Sequence, residues 1–114
     1  MNERRRLRSE DPSAALGHLF SALALRHRID AVALSDDAGE VLASAGTIRP
    51  QRLADAGRKT ALGDADAATD DVTGGADLYA RAISVGDSTM IVTSLGGRVP
   101  RLHDTARAIA RILR

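Results

Sequence analysis

Carboxylates, histidines and serines are the residues best able to do chemistry, because the 114-residue chain contains no cysteine. Two adjacent carboxylates, Asp36 and Asp37, stand in the segment "AVALSDDAGEVLASAG" (31–46). Acid and base catalysis by paired carboxylates needs two groups that face one site. Adjacent side chains in a turn point apart, and Asp and Gly are typical turn residues. We therefore interpret Asp36 to Gly39 as the turn of a scaffold hairpin.

A second acidic group superficially resembles a calcium-binding loop. It consists of Asp64, Asp66, Asp70 and Asp71. A calcium loop needs oxygen ligands at alternate positions, a Gly at its sharp turn and a closing Glu. Ala68 and Thr69 stand where the third ligand and the Gly belong, and no Glu closes the loop. The pattern indicates a solvated loop.

The remaining reactive residue types also lack the spacing of a site. His18, His27 and His103 are too far apart in sequence for a recognisable metal motif. The serines lack the Gly-x-Ser-x-Gly elbow, and the Gly-Gly pairs lack the further glycines and the lysine of a phosphate-binding loop. We expect no catalytic residue, no metal and no cofactor, and we expect that the protein is not an enzyme.

Composition limits the classes of partner. Phe20 and Tyr79 are the only aromatic residues and the net charge is +1, so neither base stacking nor a general positive field favours specific nucleic-acid binding. No apolar run approaches the roughly 20 residues of a membrane span. A charged start followed by "AALGHLFSALAL" imitates a signal peptide only loosely, since Glu10 to Pro12 interrupt it. We expect a cytoplasmic protein.

Sequence periodicity predicts the elements that hold these residues. Residues 1–10 are charged and indicate a flexible basic arm, and residues 11–114 indicate one domain. Asp11 and Pro12 begin a helix that extends to about residue 27. Runs 31–35 and 40–44 then predict a hairpin around Gly39.

The second half of the chain also predicts a hairpin with helices on either side of it. Pro50 begins a helix that ends at Gly63. The segment 64–75 is a poor strand by composition. A second hairpin turns at 85–87, and "RLHDTARAIARILR" forms a closing amphipathic helix at residues 101–114. Hairpins imply antiparallel pairing, so we predict an α+β fold with helices packed on an antiparallel sheet.

Two helix faces are candidate interaction surfaces. Small residues on the second helix would let another backbone approach closely, and they predict a homodimer interface formed by Leu53, Ala54, Gly57 and Ala61. The last helix carries an arginine row that predicts a docking surface for an acidic partner, formed by Arg101, Arg107, Arg111 and Arg114. A solvated helix face is the alternative interpretation of the arginine row.

The segments "AVALSDDAGEVLASAG" and "LYARAISVGDSTMIVTSLGG", followed by an amphipathic helix, resemble the roadblock (dynein light-chain) family over residues 12–114. The resemblance implies a three-layer, profilin-like α-β-β-α-β-β-β-α fold with about five strands. It also implies a non-catalytic homodimer that scaffolds or regulates another protein, in bacterial relatives often a small Ras-like GTPase. The alternative is a small GAF- or PAS-like sensory domain with a ligand between sheet and helices, although such pockets usually contain aromatic residues.

Overall fold

A computed structural model of the chain describes residues 12–46, 48–61 and 76–113. These residues form three helices and a four-stranded antiparallel sheet with the strand order β2-β1-β4-β3. The elements in chain order are α1 (Pro12–His27), β1 (Ala31–Asp36), β2 (Val41–Gly46), α2 (Pro50–Ala61), β3 (Leu78–Val85), β4 (Ser88–Leu95) and α3 (Leu102–Leu113).

The predicted α+β class and antiparallel sheet are confirmed, with four strands in the described part of the chain where about five were expected. The expected third strand, within 64–75, lies outside the described residues. The basic arm at 1–10 and Arg114 also lie outside them. The eight-element order therefore stays a prediction.

The first hairpin is held by its own turn residues. One carboxylate oxygen of Asp36 accepts hydrogen bonds from the backbone N–H groups of Ala38 at 3.0 Å and Glu40 at 2.8 Å. Gly39 has a φ of 89°, a conformation that side chains disfavour. These contacts connect β1 to β2 and confirm the predicted turn.

Helices cover the central strands on both faces. Alternate residues of β1, Val32 and Leu34, face the layer formed by α1 and α3, where Phe20 is completely buried. The residues between them, Ala31 and Ala33, face α2. Because strand side chains alternate between the two faces, a strand that is buried on both faces must be a continuous apolar run.

Helix α1 ends in a Schellman motif, in which Ile29 donates its backbone N–H to the carbonyl oxygen of Ala24 at 2.9 Å. Arg28 occupies the position that favours Gly, with a φ of 56°. A side chain in this left-handed conformation costs about 1–2 kcal/mol. Buried Ile29 anchors the motif, so the strain is tolerated.

Helix α2 lies very close to the sheet at Gly57, opposite the fully buried Thr93 of β4. A Cβ atom at position 57 would lie 2.6 Å from the Cβ of Thr93 and would also overlap the Thr93 hydroxyl oxygen. Real Cβ atoms do not approach other carbons this closely. Gly57 therefore sets the distance between α2 and the sheet.

We predict that Gly57→Ala destabilises the protein although Ala favours a helix by about 0.8–1.0 kcal/mol over Gly. Overpacking against Thr93 should cost about 3 kcal/mol, the upper end of the usual range, because the overlap is large, and after the gain in helix propensity the net loss should be about 2 kcal/mol. Urea unfolding followed by circular dichroism measures the change in the free energy of unfolding.

Gly17→Ala in α1 is the matched control, because a Cβ atom at Gly17 would have no neighbour within 4 Å among the described residues. This substitution should stabilise the protein by a few tenths of a kcal/mol up to about 1 kcal/mol. Equal stabilisation by both alanine substitutions would contradict the close contact at Gly57.

Candidate functional site

The strongest candidate surface is the outer face of α3. The inner face of this helix packs against β3 and α1, with Ile109 completely buried and Thr105 nearly so. The helix begins where Thr105 donates its backbone N–H to the carbonyl oxygen of Arg101 at 3.1 Å. Because the inner face is fixed in the core, the outer face is held in a defined position.

The structure places Arg107 and Arg111 one turn apart on this outer face, with Arg101 immediately before the helix, and all three are exposed. Within the described part of the chain, their guanidinium groups make no ion pair. Arg98 differs from them, because its guanidinium carbon lies 4.8 Å from the centre of the Tyr79 ring. The arginine row therefore presents positive charge that the described residues leave unneutralised.

A shallow apolar groove of about 410 Å³ lies beside the end of this row. Val85 and Met90 of the second hairpin and Ala110 and Leu113 of α3 form its walls. Leu113 keeps 39% of its surface exposed. The groove thus combines aliphatic walls with neighbouring arginines, which suits an aliphatic side chain flanked by carboxylates.

The predicted dimer face on α2 is occupied by the chain's own sheet. Leu53 and Ala54 are each only 1% exposed, and Gly57 is buried against Thr93. Of the four predicted residues, Ala61 alone is exposed. The inference from this small-residue face to a second copy is therefore wrong, since the small residues allow α2 to approach the sheet.

The outward side of α2 is polar and charged instead. Its exposed polar and charged residues are Gln51, Arg52, Asp55 and Arg58. The side-chain amide of Gln51 donates hydrogen bonds to the carbonyl oxygen of Gly39 at 2.8 Å and to a carboxylate oxygen of Asp55 at 2.9 Å. These bonds connect the first hairpin turn to α2.

The other candidate groups are dispersed. His18, His27 and His103 are all exposed and lie on two different helices. Across residues 12–46, 48–61 and 76–113, no three metal-binding side chains come together. The Asp-rich segment at 64–71 lies outside the described residues.

We predict that Asp36→Ala lowers the free energy of unfolding by about 1 kcal/mol, because two backbone N–H groups of the turn lose their acceptor. Asp37→Ala is the control. Its carboxylate is exposed and makes no hydrogen bond within the described residues, so its effect should stay within about 0.5 kcal/mol. Thermal and urea unfolding measure both changes, and equal losses in the two variants would contradict this role of Asp36.

Comparison with known proteins adds no family to this description. No family model matches the chain, and no curated protein matches it by sequence. None of the described helices is long and apolar enough to cross a membrane.

Proposed function

We propose that this protein is a non-catalytic, dimeric interaction module that docks an acidic surface of another protein through α3. The observation that carries the proposal is the pair Arg107 and Arg111, which is exposed and makes no ion pair within the described residues. The opposite side of the same helix is fixed by the buried residue Ile109. Positive charge is thus held in place on a rigid element.

The spacing of the two arginines favours binding over simple solvation. Like charges four residues apart on a helix destabilise it by about 0.2–0.5 kcal/mol. Asp104 is the one acidic residue of α3, and it makes no ion pair with Arg107. A carboxylate of the partner would relieve this repulsion, and each guanidinium can donate two parallel hydrogen bonds to one carboxylate.

The apolar groove at the end of α3 indicates which kind of residue the partner surface carries. Leu113 and Met90 can bury one aliphatic side chain, which would contribute about 1.5–3 kcal/mol if it became fully buried. Carboxylates beside that side chain would reach Arg107 and Arg111. The partner surface we propose therefore carries an aliphatic residue flanked by acidic residues.

A small Ras-like GTPase in the cytoplasm of a bacterium is the partner class we propose, with this chain as its scaffold or regulator. The resemblance to the roadblock family supports it through the two hairpins and the closing amphipathic helix. Helices on both faces of an antiparallel sheet are compatible with that family. The α3 surface would bind a partner protein without using any catalytic group, which is compatible with a regulatory role.

We predict that the double substitution Arg107→Glu and Arg111→Glu weakens partner binding at least tenfold, or about 1.4 kcal/mol. The row changes from positive to negative while the buried side of α3 is unaltered. Calorimetric titration against the protein captured by the immobilised chain measures the affinity. The affinity of the unchanged chain should also fall as salt is added.

Arg49→Glu with Arg52→Glu is the matched control. Both arginines are exposed, and they lie at the start of α2, on the other face of the sheet from α3. The control has the same change in net charge and should bind the partner with nearly the original affinity. If both double substitutions weakened partner binding equally, the effect would depend only on net charge. That result would contradict docking through α3.

A further inference from the structure

Arg81 lies on β3, on the side of the sheet that α3 covers. In the antiparallel ladder it is paired with Val92 of β4, and Val92 is buried in the same apolar cluster as Ile109 of α3. Side chains of directly paired residues lie on one face of a sheet. The Arg81 side chain is therefore on the face of α3, away from α2.

The Arg81 side chain is exposed on this face, although the residues that follow it there are not. Ile83 and Val85, the next residues of β3 on the same face, are buried in the apolar cluster. Strand β3 packs against α3 and is the outermost described strand on its side of the sheet, so Arg81 reaches solvent. Within the part of the chain that the structure describes, its guanidinium makes no hydrogen bond and no ion pair.

Strand β3 and α3 lie side by side and end together at the apolar groove. Val85 is the last residue of β3, Leu113 is the last residue of α3, and both line the groove. On the strand, Arg81 comes before Val85. On the helix, Arg107 and Arg111 come before Leu113. The line of contact between β3 and α3, which we call the seam, therefore has arginine on both elements and an aliphatic groove at one end.

No acidic residue interrupts the positive charge along the seam. Residues 78–85 of β3 and 105–113 of α3 contain no Asp or Glu. Helix α1, which lies on the same face of the sheet, contains none either. A surface of one charge is complementary to a partner of the opposite charge. The seam is therefore suited to an acidic partner.

Acidic groups stand at the ends of the seam. Asp77 precedes β3, and one of its carboxylate oxygens accepts a hydrogen bond from the Tyr79 hydroxyl at 3.5 Å. Asp87 is in the hairpin turn after β3, and Asp104 is in the first turn of α3. None of the three acidic residues forms an ion pair with another described residue, so Arg81 keeps its charge.

We propose that Arg81 is a further docking residue, and that the acidic partner lies along the seam with an aliphatic side chain in the groove. Carboxylates of the partner then reach Arg81 on the strand side and Arg107 or Arg111 on the helix side. This inference rests on the proposed function, because the partner is the one that docks on α3. It adds a source of specificity, since a partner with carboxylates on the helix side alone would lose the Arg81 contact.

The geometry of the two elements determines how long the bound segment is. A strand rises about 3.3 Å per residue, so Arg81 lies about 13 Å from Val85 along β3. A helix rises about 1.5 Å per residue, so Arg107 lies about 9 Å from Leu113 along α3. An extended segment covers these distances in about three to four residues. The acidic residues of the partner should therefore lie within about four positions of its aliphatic residue.

A synthetic peptide with one leucine between two blocks of four glutamates tests the seam, because either chain direction places acidic residues beside the arginines. Fluorescence anisotropy of the labelled peptide, titrated with the protein at low salt, measures the dissociation constant. Arg81→Gln should raise this constant about threefold, and Arg107→Gln with Arg111→Gln should raise it about tenfold. A peptide with glutamine in place of the leucine should bind about threefold more weakly or worse.

Arg52→Gln is the matched control for net charge. Arg52 is exposed on α2, on the other face of the sheet from the seam. Its substitution should leave the dissociation constant of the peptide unchanged. Because Arg81 has no ion-pair partner among the described residues, Arg81→Gln should not change the midpoint of urea unfolding. A loss of binding in this variant then reports the lost contact with the peptide.

The outcomes separate the seam from docking through α3. If Arg81→Gln left peptide binding unchanged while the double substitution on α3 weakened it, the seam would be overturned and docking through α3 would stand. If binding needed Arg81 but neither arginine of α3, docking through α3 would be contradicted as well. A peptide that does not bind the unchanged protein, or that Arg52→Gln weakens as much as Arg81→Gln does, would also overturn the seam.

Discussion

Close contact between α2 and the sheet, at Gly57 and Thr93, is the constraint on which the arrangement of the layers depends. The chain has two aromatic residues, so Ala, Leu, Val and Ile must fill the core. Protein interiors pack at nearly constant density, and small side chains reach that density only when the layers approach closely. The contact leaves the Thr93 hydroxyl buried without a hydrogen-bond partner within the described residues, an arrangement that opposes folding by about 1–3 kcal/mol.

This packing determines where function can lie. Helices cover both faces of the central strands, so Ala31 to Leu34 are entirely inaccessible. The surfaces that remain are the outer sides of the helices and the edges of the sheet. The arginine row of α3 is a surface of this kind, because the described residues hold positive charge there that they do not pair.

The sequence predicted local structure better than it predicted which surfaces meet. The turn residues Asp36 to Gly39 were sufficient to predict the first hairpin, and the apolar periodicity of residues 101–114 was sufficient to predict α3. Both features depend only on residues that are neighbours in sequence. The small residues of α2 were expected to contact a second copy of the chain, but in the structure they contact the chain's own sheet. The sequence could not separate these two contacts, because both need small residues. Strained Arg28 gave no sequence signal, because its conformation depends on where the chain goes after α1.

Covalent footprinting of arginine tests the central claim, docking through α3, most directly. Phenylglyoxal modifies accessible guanidinium groups, and mass spectrometry of the modified chain reports each arginine separately, with and without the captured partner. The partner should protect Arg107 and Arg111, while Arg49 and Arg52 should stay as reactive as in the free chain. Unchanged modification of Arg107 and Arg111 in a saturated complex would contradict docking through α3.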